Sequence, residues 1–358
     1  METQFNLQPY NSFGFPVIAK YFVEIKDARE LDRLFRTPEY KREKHLVLSG
    51  GNNTLFTNGF FDGIVIHMNN KGIKTVADDG EKVVVRAQAG EDWPEFVKKM
   101  VEKGFYGVEN LAHIPGKVGA APVQNIGAYG MELKDSFLKC EAINLETGRK
   151  RIFDNKECVF GYRSSIFKGM LKGQYVITSV DFQLLRRGEL NLDYDKIRTY
   201  LSNHRIDNPT LQQVHDAICA IRDEKLPDPK VLGNAGSFFK NPVIDAEKFE
   251  DLMQQYPDIV GFDKEGNKIT YADIKGIKER GEKIKVSGGW LIQHSGPTDA
   301  ESWKGCRIGH VGVYEEQALV LVHYGGGQGQ DIVQLADDIE KSVQAKFGIQ
   351  ISPEVNYV

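Results

Sequence analysis

The sequence predicts an α+β protein with two or three domains. Its 358 residues are enough for several domains, and 41% apolar residues can supply a core for each of them. Short apolar runs typical of buried strands alternate with stretches of helical periodicity. Two glycine-rich loops, at residues 49–54 and 114–130, lie among these runs. Both loops therefore belong to one strand-rich region, which ends near residue 185.

Composition and charge exclude several classes of protein. The net charge is −4, so the chain offers no general basic face to a nucleic acid or an anionic membrane. The four cysteines are widely scattered, which favours reduced thiols in a cytoplasm. The first residues lack the basic and apolar regions of a leader, and no stretch approaches a membrane span, so we expect a soluble, unexported protein. The eight histidines show no paired spacing, so no metal site is predicted.

The elements follow from apolar periodicity taken in chain order. Helices are predicted after Asp27, at 92–103, in the stretch from 209 to 226, and at 331–347. Strands are predicted at 45–48, 63–67, 83–87, 140–145, 150–153, 175–184 and 318–323. The sequence LPDPK, at residues 226–230, is typical of a domain linker. The residues beyond Pro242 mix both patterns and predict a second domain of mixed α/β character.

The first glycine-rich loop, SGGNNTLF, follows directly after a predicted strand. Its successive backbone amides from Gly50 to Thr54 could form a nest that binds an anion. The sequence is neither a Walker loop nor a GxGxxG fingerprint. On this loop alone, a plain turn is the competing interpretation.

The second glycine-rich loop, residues 114–130, reads IPGKVGAAPVQNIGAYG. Its only charged residue is Lys117, so nearly all of its hydrogen-bonding groups belong to the backbone. Glycine lets the main chain approach a ligand closely, while Pro115 and Pro122 stiffen the path. Such a loop suits a large, flat, polyanionic cofactor. A long surface loop is the competing interpretation.

A third glycine-rich segment, GGGQGQ, lies between the strand at 318–323 and the last predicted helix. This order of strand, loop and helix resembles a dinucleotide fingerprint. However, Gln330 stands where the third glycine belongs. We therefore predict a flexible connection capped by Asp331.

Six motifs in their order resemble the UDP-N-acetylenolpyruvoylglucosamine reductase family: SGGNNTLF, IPGKVGAAPVQNIGAYG, FGYRSSIFK, LPDPK, GNAGSFFKNP and SPEV. The resemblance spans nearly the whole chain. It implies a bacterial cytoplasmic flavoenzyme that uses NADPH to reduce the enolpyruvyl ether of UDP-N-acetylglucosamine to UDP-N-acetylmuramate, a peptidoglycan precursor. It also implies a two-part FAD-binding domain of vanillyl-alcohol-oxidase type, at residues 1–70 and 71–225, with a lid near 190–200. Residues 226–358 would form the substrate-binding domain.

The resemblance also implies roles for individual residues. Reduced FAD would supply the hydride, Ser237 the proton, and Arg163 and Glu354 would face the substrate carboxylate. Tyr194, on the lid, would contact the UDP-sugar together with Lys225, Asn241 and Gln317. Residues expected to hold FAD are Gly50, Gly51, Asn52, Asn53, Thr54, Ile114, Pro115, Gly116, Gly119, Ala120, Ala121, Asn125, Ile126, Gly127 and Ile177.

Other interpretations remain open at this point. His113 immediately precedes the second loop, where related flavin oxidases could attach their cofactor, but the reductase family does not, so we expect non-covalent FAD. An FAD oxidase of the same fold and a non-catalytic flavin or UDP-sugar-binding protein are the alternatives. The presence of Arg163, Ser237 and Glu354 argues against the non-catalytic alternative, and Ser237 and Glu354 argue against an oxidase. We expect small-molecule substrates and a monomer.

Overall fold

The computed structural model describes residues 1–264, 266–298 and 301–358. Its strands are β1 (Glu2–Asn6), β2 (Ile18–Ile25), β3 (His45–Leu48), β4 (Thr54–Leu55), β5 (Phe60–Met68), β6 (Ile73–Asp78), β7 (Lys82–Gln88), β8 (Gly127–Ala128), β9 (Met131–Glu132), β10 (Phe137–Asn144), β11 (Lys150–Asp154), β12 (Tyr175–Leu185), β13 (Gly233–Ser237), β14 (Val243–Asp245), β15 (Gly261–Phe262), β16 (Lys283–Val286), β17 (Arg307–Ile308), β18 (Val311–Val313), β19 (Val320–His323) and β20 (Asn356–Tyr357). Its α-helices are α1 (Glu30–Leu34), α2 (Pro38–Arg42), α3 (Trp93–Glu102), α4 (Asp195–Asn203), α5 (Leu211–Lys225), α6 (Ala246–Gln255), α7 (Tyr271–Glu279), α8 (Gly288–Gln293) and α9 (Gly329–Phe347).

The chain forms two compact units. The first unit consists of Met1–Leu7, Ile18–Gly51 and Phe60–Asp223. The second consists of Gln8–Val17, Asn52–Gly59 and Glu224–Val358. Two short N-terminal segments therefore belong to the second unit, which the sequence did not predict. The first glycine-rich loop crosses from one unit to the other between Gly51 and Asn52.

The first unit contains a four-stranded sheet in the order β1-β2-β5-β3. β2 and β3 both run parallel to β5, and β1 closes the sheet antiparallel to β2. The middle of β5 is buried on both faces, with Ile64, Val65 and Ile66 fully inaccessible. A continuous apolar run is what a strand covered on both sides requires.

The first unit also contains a five-stranded antiparallel sheet, in the order β11-β10-β12-β7-β6. Helices α3 and α5 supply apolar side chains to the same core as β7 and β12. In α5 the buried residues Leu211, Val214, Ile218 and Ile221 recur at helical spacing, as the sequence predicts. The hairpin between β10 and β11 turns at Gly148, whose φ of 68° is left-handed.

The second unit contains a four-stranded antiparallel sheet, β13-β19-β18-β17, and a three-stranded antiparallel sheet, β14-β16-β15. The C-terminal strand β20 pairs in parallel with β4. Helix α9 begins at Gly329, two residues before the predicted start, because Gln328 and Asp331 form a reciprocal capping box. The prediction that Asp331 caps the helix is therefore wrong in position: Gln328 is the N-cap, and Asp331 lies three residues further on, where its carboxylate accepts from the Gln328 amide at 2.9 Å. Within the described residues, no helix is long and apolar enough to cross a membrane.

Candidate active site

The first glycine-rich loop connects β3 to β4. Gly51 has a φ of 65°, a conformation that favours glycine. In the described part of the chain, no protein acceptor takes the amides of Gly50, Gly51 or Asn52. The hydroxyl of Ser49 is buried and has no hydrogen-bond partner within the same described residues. These donors, with no carboxylate in the loop, fit a bound anion such as a cofactor phosphate.

The second glycine-rich loop packs against the protein core. Its first half forms a 3-10 helix, Val118–Val123, in which Val118 and Ala121 are buried. The Gly119 amide donates to the carbonyl of Ala89 at 2.9 Å, and a Cβ at Gly119 would lie 2.6 Å from the Ala89 Cβ. Ala120 likewise donates within the protein, to the Lys117 carbonyl at 3.0 Å. The amides of Gly119 and Ala120 are therefore engaged, and these two residues could line a cofactor by close approach.

Asn125 ties this loop to the segment that carries Arg163. It is fully buried, and its φ is 46°. Its Nδ2 donates to the Glu132 carboxylate at 3.0 Å and to the Gly161 carbonyl at 3.1 Å, while its Oδ1 accepts from the Lys134 amide at 3.0 Å. Asn125 thus fixes the loop through its side chain.

Arg163 lies directly against the second loop. Its Nη2 donates to the Gly127 carbonyl at 2.5 Å, and its φ of 51° is left-handed. A Cβ at Gly127 would stand 2.8 Å from the Arg163 Nη1, so the guanidinium occupies the space that a side chain would take. The structure therefore brings together Arg163 and Gly127, which the sequence assigned to substrate and cofactor.

An aromatic and cationic cluster surrounds the predicted lid tyrosine. The rings of Tyr129 and Tyr194 meet edge to face, with centroids 5.2 Å apart. Arg222 lies beside the Tyr129 phenol, and its Nε donates to the His113 carbonyl at 3.0 Å. Burial raises the pKa of both phenols, so each remains a neutral donor. Burial also lowers the pKa of Arg222, and the nearby charge of Arg163 adds to this effect.

Tyr129, Arg222 and Asn110 also belong to this region, although no sequence motif predicts them. Asn110 is fully buried, and its Nδ2 donates to the carbonyls of Tyr129 at 2.8 Å and Asn191 at 2.9 Å. It thereby joins the end of the second loop to the segment before Tyr194. Its sequence context, VENLAH, contains no motif that indicates such a role.

In the second unit, Ser237 and Glu354 lie on paired segments. Ser237 ends β13 and is exposed. The Glu354 amide donates to the carbonyl of Phe238 at 2.7 Å. Phe239, which follows Phe238, and Pro353, which precedes Glu354, form an antiparallel bridge. The proton donor and the carboxylate suggested by sequence therefore belong to neighbouring backbones.

Asn53 holds the other side of the Glu354 backbone. Its Nδ2 donates to the Glu354 carbonyl at 3.3 Å. The Asn53 carbonyl in turn accepts from the amide and the side chain of Asn356, both at 3.0 Å. Thr54, next in the loop, pairs with Asn356 as part of β4 and β20. Glu354 is therefore fixed between Phe238 and the end of the first glycine-rich loop.

Asn241 and Gln317 both lie at the start of α8. The Asn241 Oδ1 accepts from the Gly288 amide at 2.9 Å. A Cβ at Gly289 would stand 3.1 Å from the Gln317 Oε1. Gly288 and Gly289 were not identified from sequence, although SGGW marks them. Among the described residues, Lys225 at the end of α5 forms no ion pair.

The remaining predicted residues lie in the first unit. Ile114, Pro115, Gly116 and Ile126 are part of the second loop, and Ile177 is buried on β12. Within the described ranges, no group of three or more His, Cys, Asp or Glu side chains could hold a metal ion.

A family model for an FAD binding domain matches residues 19–152. This match, together with the fold and the two glycine-rich loops, defines a flavin-binding protein. A second model, for the C-terminal domain of UDP-N-acetylenolpyruvoylglucosamine reductase, matches residues 228–358. The reductase of that name from Flavobacterium johnsoniae is 42% identical, covering 100% of this chain and 99% of the relative. The Pseudomonas aeruginosa reductase is 43% identical, covering 98% and 97%. The chain therefore belongs to the UDP-N-acetylenolpyruvoylglucosamine reductase family.

A solved structure shares the fold. The crystal structure of UDP-N-acetylenolpyruvylglucosamine reductase from Thermus caldophilus matches with a TM-score of 0.62 at 19% identity, covering 99% of this chain and 97% of that chain. The predicted α+β fold, with an FAD-binding domain and a separate C-terminal domain, is confirmed.

Proposed function

We propose that the protein is an FAD-dependent reductase that converts the enolpyruvyl ether of UDP-N-acetylglucosamine into UDP-N-acetylmuramate with electrons from NADPH. Relatives that cover the whole chain carry this reductase name, and the FAD-binding match supports the cofactor. One structural observation supports the residue roles most strongly. It is the 2.7 Å hydrogen bond from the Glu354 amide to the Phe238 carbonyl, which places Glu354 beside the strand of Ser237.

FAD fits the free donors of the first glycine-rich loop and the close approach that the second loop allows. The amides of Gly50, Gly51 and Asn52 would hold its pyrophosphate, since an acidic protein without a basic patch must use local donors. The second loop, from Ile114 to Gly127, would line the cofactor, and Ile177 would reach the flavin. When bound, FAD supplies the hydride for the alkene of the substrate.

The side chains of the protein donate the proton and stabilise the negative charge that develops on the substrate. Ser237 gives a proton to the alkene carbon that does not receive the hydride. A serine hydroxyl is a weak acid, so a cation such as Lys225 or Lys240 would polarise it. Arg163 holds the substrate carboxylate and stabilises the enolate-like charge that forms on it. Glu354 would face the same part of the substrate.

The UDP-sugar would be held by Tyr194, Lys225, Asn241 and Gln317. The neutral phenol of Tyr194 can donate to a phosphate oxygen, and Lys225 adds a positive charge. Asn241 and Gln317 lie beside Gly288 and Gly289, whose missing side chains allow these two polar side chains to pack closely against the start of α8.

We also propose the remaining features that the sequence suggested. The C-terminal family match at 228–358 supports a boundary after residue 225, with residues 1–70 and 71–225 as the two parts of the FAD domain and 190–200 as its lid. All four cysteines are free thiols, which supports a cytoplasmic protein. We propose a monomer that acts on small molecules.

An anaerobic experiment tests this function. The purified holoenzyme is reduced with NADPH, the enolpyruvyl UDP-sugar is added, and the flavin absorbance is followed. Prompt reoxidation by the sugar is the expected result. Reoxidation by air but not by the sugar would contradict the proposal and indicate an oxidase.

A further inference from the structure

The strand that leads to Ser237 is irregular. In β13, Asn234 pairs with Val322 and Ser237 pairs with Val320, so β13 has one more residue than β19 between the two pairs. This extra residue is a β-bulge, which bends a strand and redirects the next side chain. Gly236 lies inside the bulge with a φ of 69°. The direction of the Ser237 hydroxyl therefore depends on how the bulge is held.

The side chain of Asn234 stabilises the bulge through hydrogen bonds. It is buried, with 2% of its surface exposed. Its Oδ1 accepts from the Gly236 amide at 2.9 Å. Its Nδ2 donates to the carbonyls of Pro227 at 3.0 Å and Leu232 at 2.8 Å. One side chain thus joins the bulge, the residues before β13 and the LPDPK segment.

The Asn234 backbone is fixed as well. Its amide donates to the Ser12 carbonyl at 3.0 Å, and the preceding Gly233 is packed so closely that a Cβ there would stand 2.1 Å from the Phe13 carbonyl oxygen. Because these contacts fix the backbone of Asn234, its side chain can fix the position of Gly236, and Gly236 in turn determines the position of Ser237. Both protons of the Asn234 side-chain amide are donated to protein carbonyls, so this side chain stabilises the conformation of the strand.

We propose that Asn234 is the positioning residue for proton transfer: it holds the bulge in the one conformation that aims the Ser237 hydroxyl at the substrate. This inference rests on the proposed role of Ser237 as proton donor. Asn234→Ala removes the acceptor of the Gly236 amide and leaves two carbonyls without their donor. The strand can then relax and shift the hydroxyl by a fraction of an ångström. Misplacement of about 1 Å can cost about 10²-fold in rate.

The test is a double-mutant cycle on the holoenzyme, read as two separate half-reactions. Reduction of the flavin by NADPH should be unchanged in Asn234→Ala, while reoxidation by the enolpyruvyl UDP-sugar should slow by about 10-fold or more. In a Ser237→Ala background, Asn234→Ala should cause no further loss, because the group that it positions is absent. An equal loss in both backgrounds, or an equal loss in both half-reactions, would overturn the proposal.

A second variant keeps the test valid if Asn234→Ala does not fold. Gly236→Ala perturbs the same bulge through its backbone. The new Cβ would meet no atom within 4 Å, so the change adds strain at a left-handed φ without a steric clash. The matched control is Gly281→Ala, which has a similar φ of 63° and equally open surroundings between α7 and β16. Gly236→Ala should slow sugar reduction, and Gly281→Ala should not. Equal rates in these two variants would contradict the inference.

The two proposals fail in different ways. If Ser237→Ala itself reduces the sugar at the normal rate, the proposed role of Ser237 is wrong. If Ser237→Ala is slow but Asn234→Ala and Gly236→Ala are normal, only the positioning role is wrong.

Discussion

Gly127→Ala should impair sugar reduction through the position of Arg163. The new Cβ would stand 2.8 Å from the Arg163 Nη1 and 3.0 Å from the Met131 carbonyl oxygen. Ordinary contacts begin at 3.4 Å, so a shift of 3.4 − 2.8 = 0.6 Å would relieve the contact fully, and this shift would disturb the bond from Arg163 to the Gly127 carbonyl. A shift of about half an ångström in the group that we propose to bind the substrate carboxylate is expected to cost about 10-fold in rate. The variant keeps the positive charge of Arg163, so a loss of rate would result from the changed position of its guanidinium.

The assay is the same pair of half-reactions, with FAD content measured first. Flavin reduction by NADPH should be normal, and reoxidation by the enolpyruvyl UDP-sugar should be slow. Gly169→Ala is the control, because its Cβ would stand at least 3.5 Å from its neighbours and its φ is not left-handed. A normal rate of reoxidation in Gly127→Ala would refute the reasoning. Loss of FAD would mean that the change acts on the cofactor.

Three further predictions concern stability and cofactor attachment. Arg86→Ala should lower the free energy of unfolding in urea by about 3 kcal/mol, because Asp181 is 2% exposed and loses contacts of 2.6 and 2.8 Å; an unchanged midpoint would contradict this. Burial lowers the pKa of His67 in the folded protein. As the pH falls through about 6.5, this histidine is protonated in the unfolded chain before it is protonated in the folded protein. The free energy of unfolding should therefore decrease below about pH 6.5. His67→Gln should lose less stability than the unchanged protein over that range in urea unfolding, and equal losses would argue against it. Acid precipitation should release FAD into solution, because His113 directs its Nε2 to Asp223 at 2.7 Å; colour retained in the pellet would indicate a covalent bond.

Elements with a strong periodic pattern could be predicted from the sequence. The apolar faces of α3 and α5 and the runs in β5, β7 and β12 agree with the structure within a few residues. The missed elements lack such a pattern. β1 is almost wholly exposed and exists because it pairs with β2, and GNAGS becomes β13 because it pairs with β19, although glycine weakens a strand.

The candidate site was predictable only as separate pieces. The family motifs indicate Ser237, Glu354 and Arg163 individually, because each lies in a distinctive local sequence. The bond between Glu354 and Phe238 joins residues far apart in the chain, so no local pattern carries it. The same is true of Arg222 beside Tyr129, where the partners meet only after α5 has packed. Such contacts depend on tertiary structure.

Proton donation by Ser237 is the central claim, and Ser237→Ala tests it most directly. The variant is loaded with FAD, reduced anaerobically with NADPH, and mixed with the enolpyruvyl UDP-sugar in a single turnover. We predict normal flavin reduction and reoxidation slowed by about 10²-fold or more, since that is the typical contribution of a positioned acid. Reoxidation at the rate of the unchanged enzyme would contradict the account.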